Sequence, residues 1–443
     1  MDNKTRRLFF RILILAVVSA AVTALGLLTL RGAGWDGQTL SSLVNSETVI
    51  VMMVLAALIP VGLLALLLSV VFVSRPLLKF RRPRRKPRFP ALRRIDAQAA
   101  KQPAPKYVRC SLQEICTLFR GFAANRLGLY YEIDDIRRFI AGMGVSRLII
   151  LRGISGTGKT SLAYAAGEFF GNPSAIVPVQ PMWKERADML GYFNEFTGRF
   201  HETPLLCKLY EAGTRDDVFV TVLDEMNISR IEYYFAEFLS LLEVPDPNRR
   251  LLDVVSDSWI TDPKRLKDGK LLLPQNMWFI GTANNDDSTF AISDKVYDRA
   301  MVLDLDRKCA PFSAQDKGPV HISYTELQRL FAEAKKNHQL SKDTRSRLEA
   351  LDKYLGQVFR IGFGNRILHQ LECYVPIMLA CGGTELGALD DILSRKILRK
   401  LEQLSPTLLK NELPRLRSWL QQAFGPNSLP QCQEYLGRLE RYV

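Results

Sequence analysis

The sequence predicts an α/β fold with a parallel sheet, followed by a helical region and preceded by two transmembrane helices. Three observations support this prediction. Short β-rich apolar runs alternate with helical segments from residue 146 to about residue 310. From about residue 322 onward the hydrophobic pattern is helical only. Two long uncharged apolar runs lie before residue 75.

The two uncharged apolar runs cover residues 12–30 and 48–73. Each is long enough to cross the hydrocarbon core of a bilayer, which takes roughly 20 residues of helix. Lys and Arg flank the outer end of each run, and the loop between them carries few, as in a helical hairpin with both ends in the cytoplasm. We therefore predict that residues 1–74 form a hairpin in the cell inner membrane, with spans at about 10–30 and 48–73 and the rest of the chain in the cytoplasm.

Two other interpretations of these runs stay open. The first run could be a cleaved signal peptide, with Val22, Thr23 and Ala24 at a weak cleavage site, although its apolar stretch is long for one. Both runs could be buried core helices, although each is long and apolar all round. The transmembrane interpretation fits both their length and their charged flanks.

The net charge of +14 is concentrated at the N-terminus. Residues 1–94 carry 15 Lys/Arg and 3 Asp/Glu, and the other residues, with 45 basic and 43 acidic side chains, are nearly neutral. A nearly neutral body argues against nucleic-acid binding, which needs clustered Lys and Arg. Residues 75–110 are basic and Pro-rich, and we predict an extended linker whose charge meets anionic lipid headgroups. Nucleic acid is the alternative partner for this tract.

The seven cysteines and four histidines are scattered, and the cysteines form no C-x-x-C pair. This pattern is typical of reduced thiols in the cytosol, and it gives no sign of a disulfide framework or of a metal bound by Cys and His. It therefore agrees with a cytosolic location for the chain after the linker.

The best-defined motif is a glycine-rich loop between a predicted strand and a predicted helix. Helical patterns over 111–126 and 132–143 precede that strand, and residues 153–160 fit G-x-x-x-x-G-K-[ST]. Backbone N–H groups of such a loop surround phosphates, the Lys159 ammonium would reach the β- and γ-phosphates, and the Thr160 hydroxyl would ligate Mg²⁺. The predicted nucleotide-contacting residues are Gly153, Ser155, Gly156, Thr157, Gly158, Lys159, Thr160 and Ser161.

A second motif ends the apolar run at residues 218–223, which predicts a buried strand. Asp224 and Glu225 follow this run directly, in the pattern named Walker B. Asp224 would hold the Mg²⁺ shell, and Glu225 would act as the general base towards the attacking water. Such a pair alone is most often a solvated turn, but its place downstream of a phosphate loop favours the functional interpretation.

Further segments complete the predicted sheet. Residues 175–179 predict a strand, and we expect the aromatic-rich stretch after it to pack rather than to bind a partner. Residues 278–284 predict a strand ending in polar side chains. If this strand lies beside the Walker B strand, it delivers Asn284 to the γ-phosphate and the attacking water. Between these strands we predict a helix over 227–243 and an irregular insertion over 244–274.

Together these segments resemble the AAA+ NTPases, in particular the McrB-like branch near the MoxR and dynein-related group. The resemblance covers roughly residues 130–405 and includes LRGISGTGKTSLA, PVQPMWKERADMLGYFNEFTGRF, VLDEMNISRIEYYFAEFLSLLE, LLLPQNMWFIGTANNDD, DKVYDRA, GFGNRILHQLECYV and DDILSRKILRKL. It implies a P-loop NTPase domain over 111–310 and a helical lid with C-terminal helices over 320–443. It also implies a homo-oligomeric ring, with a hexamer expected.

The resemblance further implies roles for residues outside the two motifs. Asn284 corresponds to the sensor-1 residue, and Asp287 to the acidic partner in an N-x-x-D element. Arg299 corresponds to the arginine finger, which reaches the neighbouring subunit's site, and Arg366 to the sensor-2 arginine of the lid. A guanidinium beside the γ-phosphoryl group is worth about 10³–10⁵ in rate. The alternatives are a surface arginine at position 299 and a lid salt bridge at position 366.

Two departures from this branch shape the functional prediction. A membrane hairpin and linker stand where restriction-type McrB proteins carry a methylated-DNA-reading domain, and DRAMVLDL stands where the finger segment of that branch ends in RRRF. We predict a membrane-anchored AAA+ ATPase that uses ATP and Mg²⁺ to remodel an unknown protein client at the cytoplasmic face of the membrane. GTP stays open as the nucleotide. The alternatives are a McrB-like NTP-driven nucleic-acid translocase or defence-system component, and a nucleotide-gated scaffold with little turnover.

Overall fold

The structure is a computed structural model that describes residues 87–101, 105–284, 289–315 and 318–442. The two predicted membrane spans lie outside these residues. Among the helices of the described part, none is both long and apolar enough to cross a bilayer. Residues from Lys86 to the C-terminus form one compact unit.

The elements of this unit are named in chain order. They are α1 (Pro90–Ala99), α2 (Leu112–Leu127), α3 (Ile133–Met143), β1 (Leu148–Gly153), α4 (Lys159–Phe169), β2 (Ala175–Pro178), α5 (Arg186–Leu190), β3 (Phe193–Asn194), β4 (Arg199–Phe200), α6 (Pro204–Ala212), β5 (Phe219–Asp224), α7 (Ile231–Tyr234), α8 (Ala236–Glu243), β6 (Leu251–Asp253), β7 (Leu266–Lys267), β8 (Lys270–Leu272), β9 (Met277–Asn284), α9 (Asp294–Tyr297), β10 (Met301–Asp304), α10 (Tyr324–Asn337), α11 (Lys342–Val358), α12 (Gly364–Ala380), α13 (Glu385–Ile392), a π-helical turn (Leu393–Ile397), a 3₁₀ segment (Leu398–Gln403), α14 (Pro406–Phe424) and α15 (Pro430–Tyr442).

Five parallel strands form the central sheet in the order β10–β1–β9–β5–β2. β9 lies between β1 and β5, with Asn284 opposite Gly153 and Gly281 opposite Leu223. The carboxyl ends of parallel strands meet at one edge, where ligands bind in open α/β sheets. The phosphate loop, the Walker B pair and Asn284 therefore share one edge of the sheet, and the predicted pairing of the last two strands is confirmed.

Helices cover both faces of the sheet, and this explains why the sequences of its strands are nearly continuous apolar runs. Ile149 and Leu151 of β1 pack in a cluster with α2, α3 and α4. Leu148 and Ile150 point the other way and pack in a second cluster with α6 and α8. This alternation follows from the two-residue side-chain period of a strand.

The helical region after residue 320 packs onto the first of these clusters. α12 contacts α10 and α13 and also reaches α3 beside the sheet. α14 and α15 pack against each other at the C-terminus. The prediction of a helical region without further strands is confirmed for the described residues from 322 to 442.

The predicted extended linker over 75–110 differs from the structure at α1. Phe89 and Leu92 are fully buried there. The Glu202 carboxylate accepts hydrogen bonds of 2.8 Å from two N–H groups in the first turn of α1. The contacts that stabilise α1 come from residues about a hundred positions away, which a local composition argument cannot detect.

Three other differences concern short elements. The insertion over 244–274 contains an antiparallel sheet, β6–β8–β7, instead of being irregular throughout. The helix predicted over 227–243 is two shorter helices, α7 and α8. The sequence analysis missed β10, which has only four residues and follows directly on the segment that carries Arg299.

Candidate active site

The phosphate loop joins β1 to α4, as predicted. A Cβ atom at Gly153 would lie 2.4 Å from the Leu305 carbonyl oxygen, so only glycine fits there. Gly158 precedes the first residue of α4 and has a φ of 90°, in the region that favours glycine. Its carbonyl oxygen accepts a 3.0 Å hydrogen bond from the Tyr131 hydroxyl. The motif glycines therefore have structural reasons to be glycine.

Two side chains of the loop are bonded to the loop's own carbonyl groups. Lys159 Nζ donates to the carbonyl oxygens of Gly153 and Ile154, at 3.1 and 2.7 Å. Thr157 closes the loop through a 3.0 Å bond from Oγ1 to the Ile154 carbonyl. The other predicted contacts, Ser155, Gly156 and Ser161, lie on the exposed tip of the loop or on the first turn of α4.

A polar network connects the loop to the Walker B strand. Thr160 Oγ1 lies 2.6 Å from Asp224 Oδ1, and Thr282 Oγ1 donates to the same oxygen at 2.8 Å. The two predicted Mg²⁺ ligands are therefore adjacent. Mg²⁺ prefers oxygen ligands and is usually held by one or two protein groups together with water and phosphate oxygens. Thr160 and Asp224 fit such a site.

Glu225 follows Asp224 in an unusual backbone conformation. Its φ is 51°, in the left-handed region, and its side chain is exposed. The Glu225 N–H donates to Thr282 Oγ1 at 2.8 Å, and the Met226 N–H donates to the Thr282 carbonyl at 2.8 Å. This conformation is sparsely populated by residues other than glycine and needs such support. It turns the chain away from β5 and presents the Glu225 carboxylate at the edge of the sheet.

Thr282 is a site residue that the sequence analysis missed. It is 2 % exposed, and its hydroxyl donates to Asp224 while accepting from the Glu225 backbone. Both acidic residues are thus fixed from β9. The signal available in the sequence was its position two residues before Asn284, which places it on the same face of the same strand.

We expect Thr282→Val to lower kcat for nucleotide hydrolysis by about ten- to a hundredfold, since hydrogen bonds to charged groups contribute about 1.5–3 kcal/mol. The Mg²⁺ concentration needed for half-maximal rate should rise as well. Thr282→Ser keeps both hydrogen bonds and should restore the rate. Thr221→Val is the matched control, at a buried threonine of β5 whose hydroxyl donates a hydrogen bond to Met277 Sδ and not to either acidic residue. Equal effects of the two valine variants would contradict this role.

Asn284 lies at the end of β9, opposite the first glycine of the loop. Its carbonyl oxygen accepts a 3.1 Å hydrogen bond from Asn227 Nδ2, which also donates to Thr289 Oγ1 at 2.9 Å. Asn227 is 5 % exposed and ties the end of β9 to the turn after Walker B. Asp287 lies outside the described residues. Asn284 therefore lies beside the loop, at the end of the strand that pairs with the Walker B strand.

Arg299 and Arg366 lie together at the other edge of the sheet. Arg299 precedes β10, and its carbonyl accepts a 2.8 Å bond from Ser146 Oγ, at the amino end of β1. Its Nη2 pairs with Glu243 Oε2 at 2.6 Å, and Arg366 Nη2 pairs with Oε1 of the same carboxylate. The six residues of β1, about 20 Å long, separate this edge from the phosphate loop of the same chain.

Both arginines line one cavity of about 410 Å³, together with Arg147, Arg250 and Glu243. Four arginines and one glutamate line this cavity, so its lining carries a net positive charge. The structure thus groups Arg366 with Arg299 and places it away from the phosphate loop of its own chain. The predicted alternative for Arg366, a salt bridge of the lid, is also present through Glu243.

A buried ion network fixes the helical region to the sheet near the phosphate loop. Arg152, just before Gly153, donates to Asp304 Oδ1 at 2.8 Å, and Arg395 of the π-helical turn donates to Asp304 Oδ2 at 3.0 Å. Arg395 also pairs with Asp391 at 2.7 Å. Burial alone would raise the pKa of Asp304, but the guanidiniums of Arg395 and Arg152 hold it below its usual range.

Comparison with known proteins gives matches over part of the chain. A family model described as a domain of unknown function (DUF8727) matches residues 320–443. The search of curated proteins gave no match. A presumed ATPase from Cytophaga hutchinsonii ATCC 33406 is 13% identical, with a TM-score of 0.42, over 74% of this chain and 94% of that chain. A full-length MCM homologue from Methanopyrus kandleri is 14% identical, with a TM-score of 0.35, over 64% of this chain and 60% of that chain.

Proposed function

We propose that the protein is an ATPase of the AAA+ class that works as a homo-oligomeric ring. The observation that carries the proposal is the 2.6 Å contact between Thr160 and Asp224, which joins the phosphate loop to the end of the Walker B strand. A glycine-rich turn that binds nothing would need neither group at this point. Mg²⁺ held there would neutralise charge on the phosphate oxygens.

The other side chains of this edge have distinct roles in the proposal. Lys159 leaves its two carbonyl partners to bind the β- and γ-phosphates, where an ammonium meets stronger acceptors. Glu225 accepts a proton from the attacking water, and Asn284 orients that water from the neighbouring strand. The exposure of Glu225 supports this role, because an exposed carboxylate can meet a water molecule.

Arg299 and Arg366 serve a neighbouring subunit in this proposal. They lie at the edge of the sheet opposite to their own phosphate loop, so a second copy of the chain is needed to bring a nucleotide to them. An interface in which one edge meets the opposite edge of the next copy is heterologous, and repeated copies of such an interface form a ring when the rotation between subunits closes. The resemblance to the AAA+ class agrees with a ring of six subunits.

The membrane anchor and the client are also proposals. We propose that residues 1–74 hold the ring at the cytoplasmic face of the cell inner membrane, on the strength of their apolar runs and charged flanks. We propose a protein client, since the chain after residue 94 is nearly neutral. Hydrolysis that DNA or RNA stimulates, with a steep dependence on salt, would favour the translocase alternative instead.

The first test uses the full-length oligomer in lipid nanodiscs, with ATP and GTP compared as substrates. We expect Mg²⁺-dependent hydrolysis of ATP. Lys159→Ala should weaken ATP binding by about ten- to a hundredfold, because it removes a charge-assisted contact to the phosphates. Titration with a fluorescent ATP analogue measures this change, and Lys184→Ala, at an exposed lysine, is the control. Unchanged ATP binding in Lys159→Ala would contradict the site.

A further inference from the structure

The turn that carries Arg299 is held by side chains at every carbonyl group. We call residues 297–300, which end α9 and lead into β10, the finger turn. Its four carbonyl oxygens accept hydrogen bonds from Lys396 at Tyr297 (2.9 Å), Gln370 at Asp298 (2.9 Å), Ser146 at Arg299 (2.8 Å) and Lys396 again at Ala300. The donors come from three separate parts of the chain, so the finger turn is fixed in place by tertiary contacts.

Lys396 contributes most to this arrangement. It is 3 % exposed, and its ammonium group, which has three N–H donors, contacts three oxygens. Two belong to the finger turn, and the third is Gln370 Oε1 at 2.6 Å. Burial lowers the pKa of Lys396 to about 7. A methionine or leucine would fill the same space without this desolvation cost, so packing alone does not account for a lysine here.

The segment of the chain that carries Lys396 is fixed by ion pairs of its neighbours. It lies in the π-helical turn Leu393–Ile397, and single π-helical turns occur frequently at functional sites. Its neighbour Arg395 is fixed by the ion pairs to Asp304 and Asp391. Arg399, one turn later, pairs with Asp294 at the start of α9 and lies 4.0 Å above the Tyr297 ring. The lid therefore holds the helix and the turn that precede β10 from one side.

We propose that Lys396 is a positioning residue for Arg299, which fixes the finger turn so that the guanidinium reaches the nucleotide of the neighbouring subunit. The inference rests on the proposed ring ATPase and adds a residue that its two motifs do not include. Lys396 acts on the neighbour's site, since Arg299 does, and not on the phosphate loop of its own chain. A loss of Lys396 should therefore appear at the neighbour's site.

The first measurement compares Lys396→Met with the wild-type ring. Small misplacements of a group that acts in the transition state cost about 10²-fold, so kcat should fall about 10- to 100-fold. The affinity for a fluorescent ATP analogue should stay within about twofold, because the variant's own loop is intact. Lys400→Met, at a partly exposed lysine of the following 3₁₀ segment, is the control and should keep the wild-type rate.

The second measurement separates positioning from general damage. Lys396→Met subunits, which have an intact phosphate loop, are mixed with Lys159→Ala subunits. The Lys159→Ala subunits have an intact finger turn but bind nucleotide poorly. In a randomly mixed ring about a quarter of the interfaces pair an intact loop with an intact finger turn, so activity should rise well above that of both parents. A subunit that is misfolded as a whole would not regain activity in this mixture.

A wild-type kcat in Lys396→Met, or a mixture no more active than its parents, would overturn the role of Lys396. If Lys396→Met does not fold, Gln370→Met replaces it, since that variant removes the bond to Asp298 and one acceptor of Lys396. Gln370→Met subunits are then mixed with Lys159→Ala subunits, and the activity of that mixture is compared with the activities of its parents. Wild-type rings without ATPase activity would overturn both the inference and the proposed function, whereas an active wild type with a failed mixture overturns the inference alone.

Discussion

Replacing Arg299 with alanine should lower kcat for ATP hydrolysis about 10³-fold or more and leave ATP affinity within about twofold. The guanidinium stabilises charge that develops on the γ-phosphoryl oxygens in the transition state, so its loss affects the rate far more than binding. The phosphate loop of the same chain lies at the other edge of the sheet, so its binding of ATP should be unaffected. Steady-state hydrolysis and a fluorescent-nucleotide titration on the same rings measure the two quantities.

The control for this variant is Arg345→Ala, which removes an exposed arginine on α11 that pairs with Glu372. It should keep the wild-type kcat. Arg366 still pairs with Glu243 in Arg299→Ala, so that the melting temperature should change little. A kcat within about twofold of wild type would support the surface-arginine interpretation. A parallel loss of ATP affinity would place Arg299 at its own site instead.

Replacing Glu225 with glutamine should lower kcat about 10²- to 10⁴-fold, which is the range for losing a general base. Glutamine has the same shape but cannot accept the proton of the attacking water. Because the Glu225 side chain is exposed, the change should not destabilise the fold. The variant should therefore bind ATP and retain it. Single-turnover hydrolysis, with the amount of ATP retained on the isolated ring, measures both effects.

Glu349→Gln, at an exposed glutamate of α11, is the matched control for Glu225→Gln. Turnover in Glu225→Gln close to wild type would contradict the assignment and favour a scaffold that only binds nucleotide. The retained ATP state also serves to identify the client. A protein that co-purifies with Glu225→Gln after nuclease treatment, and not with Lys159→Ala, fits the remodelling proposal, whereas a nucleic acid in the same comparison fits the translocase alternative.

The parts of the site that local sequence could predict are those that local chemistry determines. The phosphate loop needs glycines at a strand-to-helix turn, and the positions of Gly153 and Gly158 in the structure show why. Asp224 and Glu225 were predictable because they directly follow a buried strand downstream of a phosphate loop, whereas such a pair alone is most often a solvated turn. The place of Asn284 followed once its strand was assumed to pair with β5, which is a guess about topology that the structure confirms.

The parts that could not be predicted depend on residues distant in the chain. Arg366 shares a carboxylate with Arg299 only because the lid folds back across the sheet, which no local pattern reveals. Lys396 donates to carbonyl groups nearly a hundred residues earlier. The same holds for α1, where Phe89 stacks on Phe200. The sequence did contain one signal for Lys396: two adjacent basic residues, Arg395 and Lys396, between the apolar pairs Ile392-Leu393 and Ile397-Leu398 of a helical segment.

The central claim is that each active site combines the phosphate loop of one subunit with Arg299 of the next. The most direct test mixes Lys159→Ala subunits with Arg299→Ala subunits, each nearly inactive alone, and measures ATP hydrolysis by the mixed rings. We predict that activity returns in the mixture, because some interfaces then pair an intact loop with an intact arginine. Mixed rings that stay as inactive as their parents, although the subunits are shown to assemble together, would contradict the account.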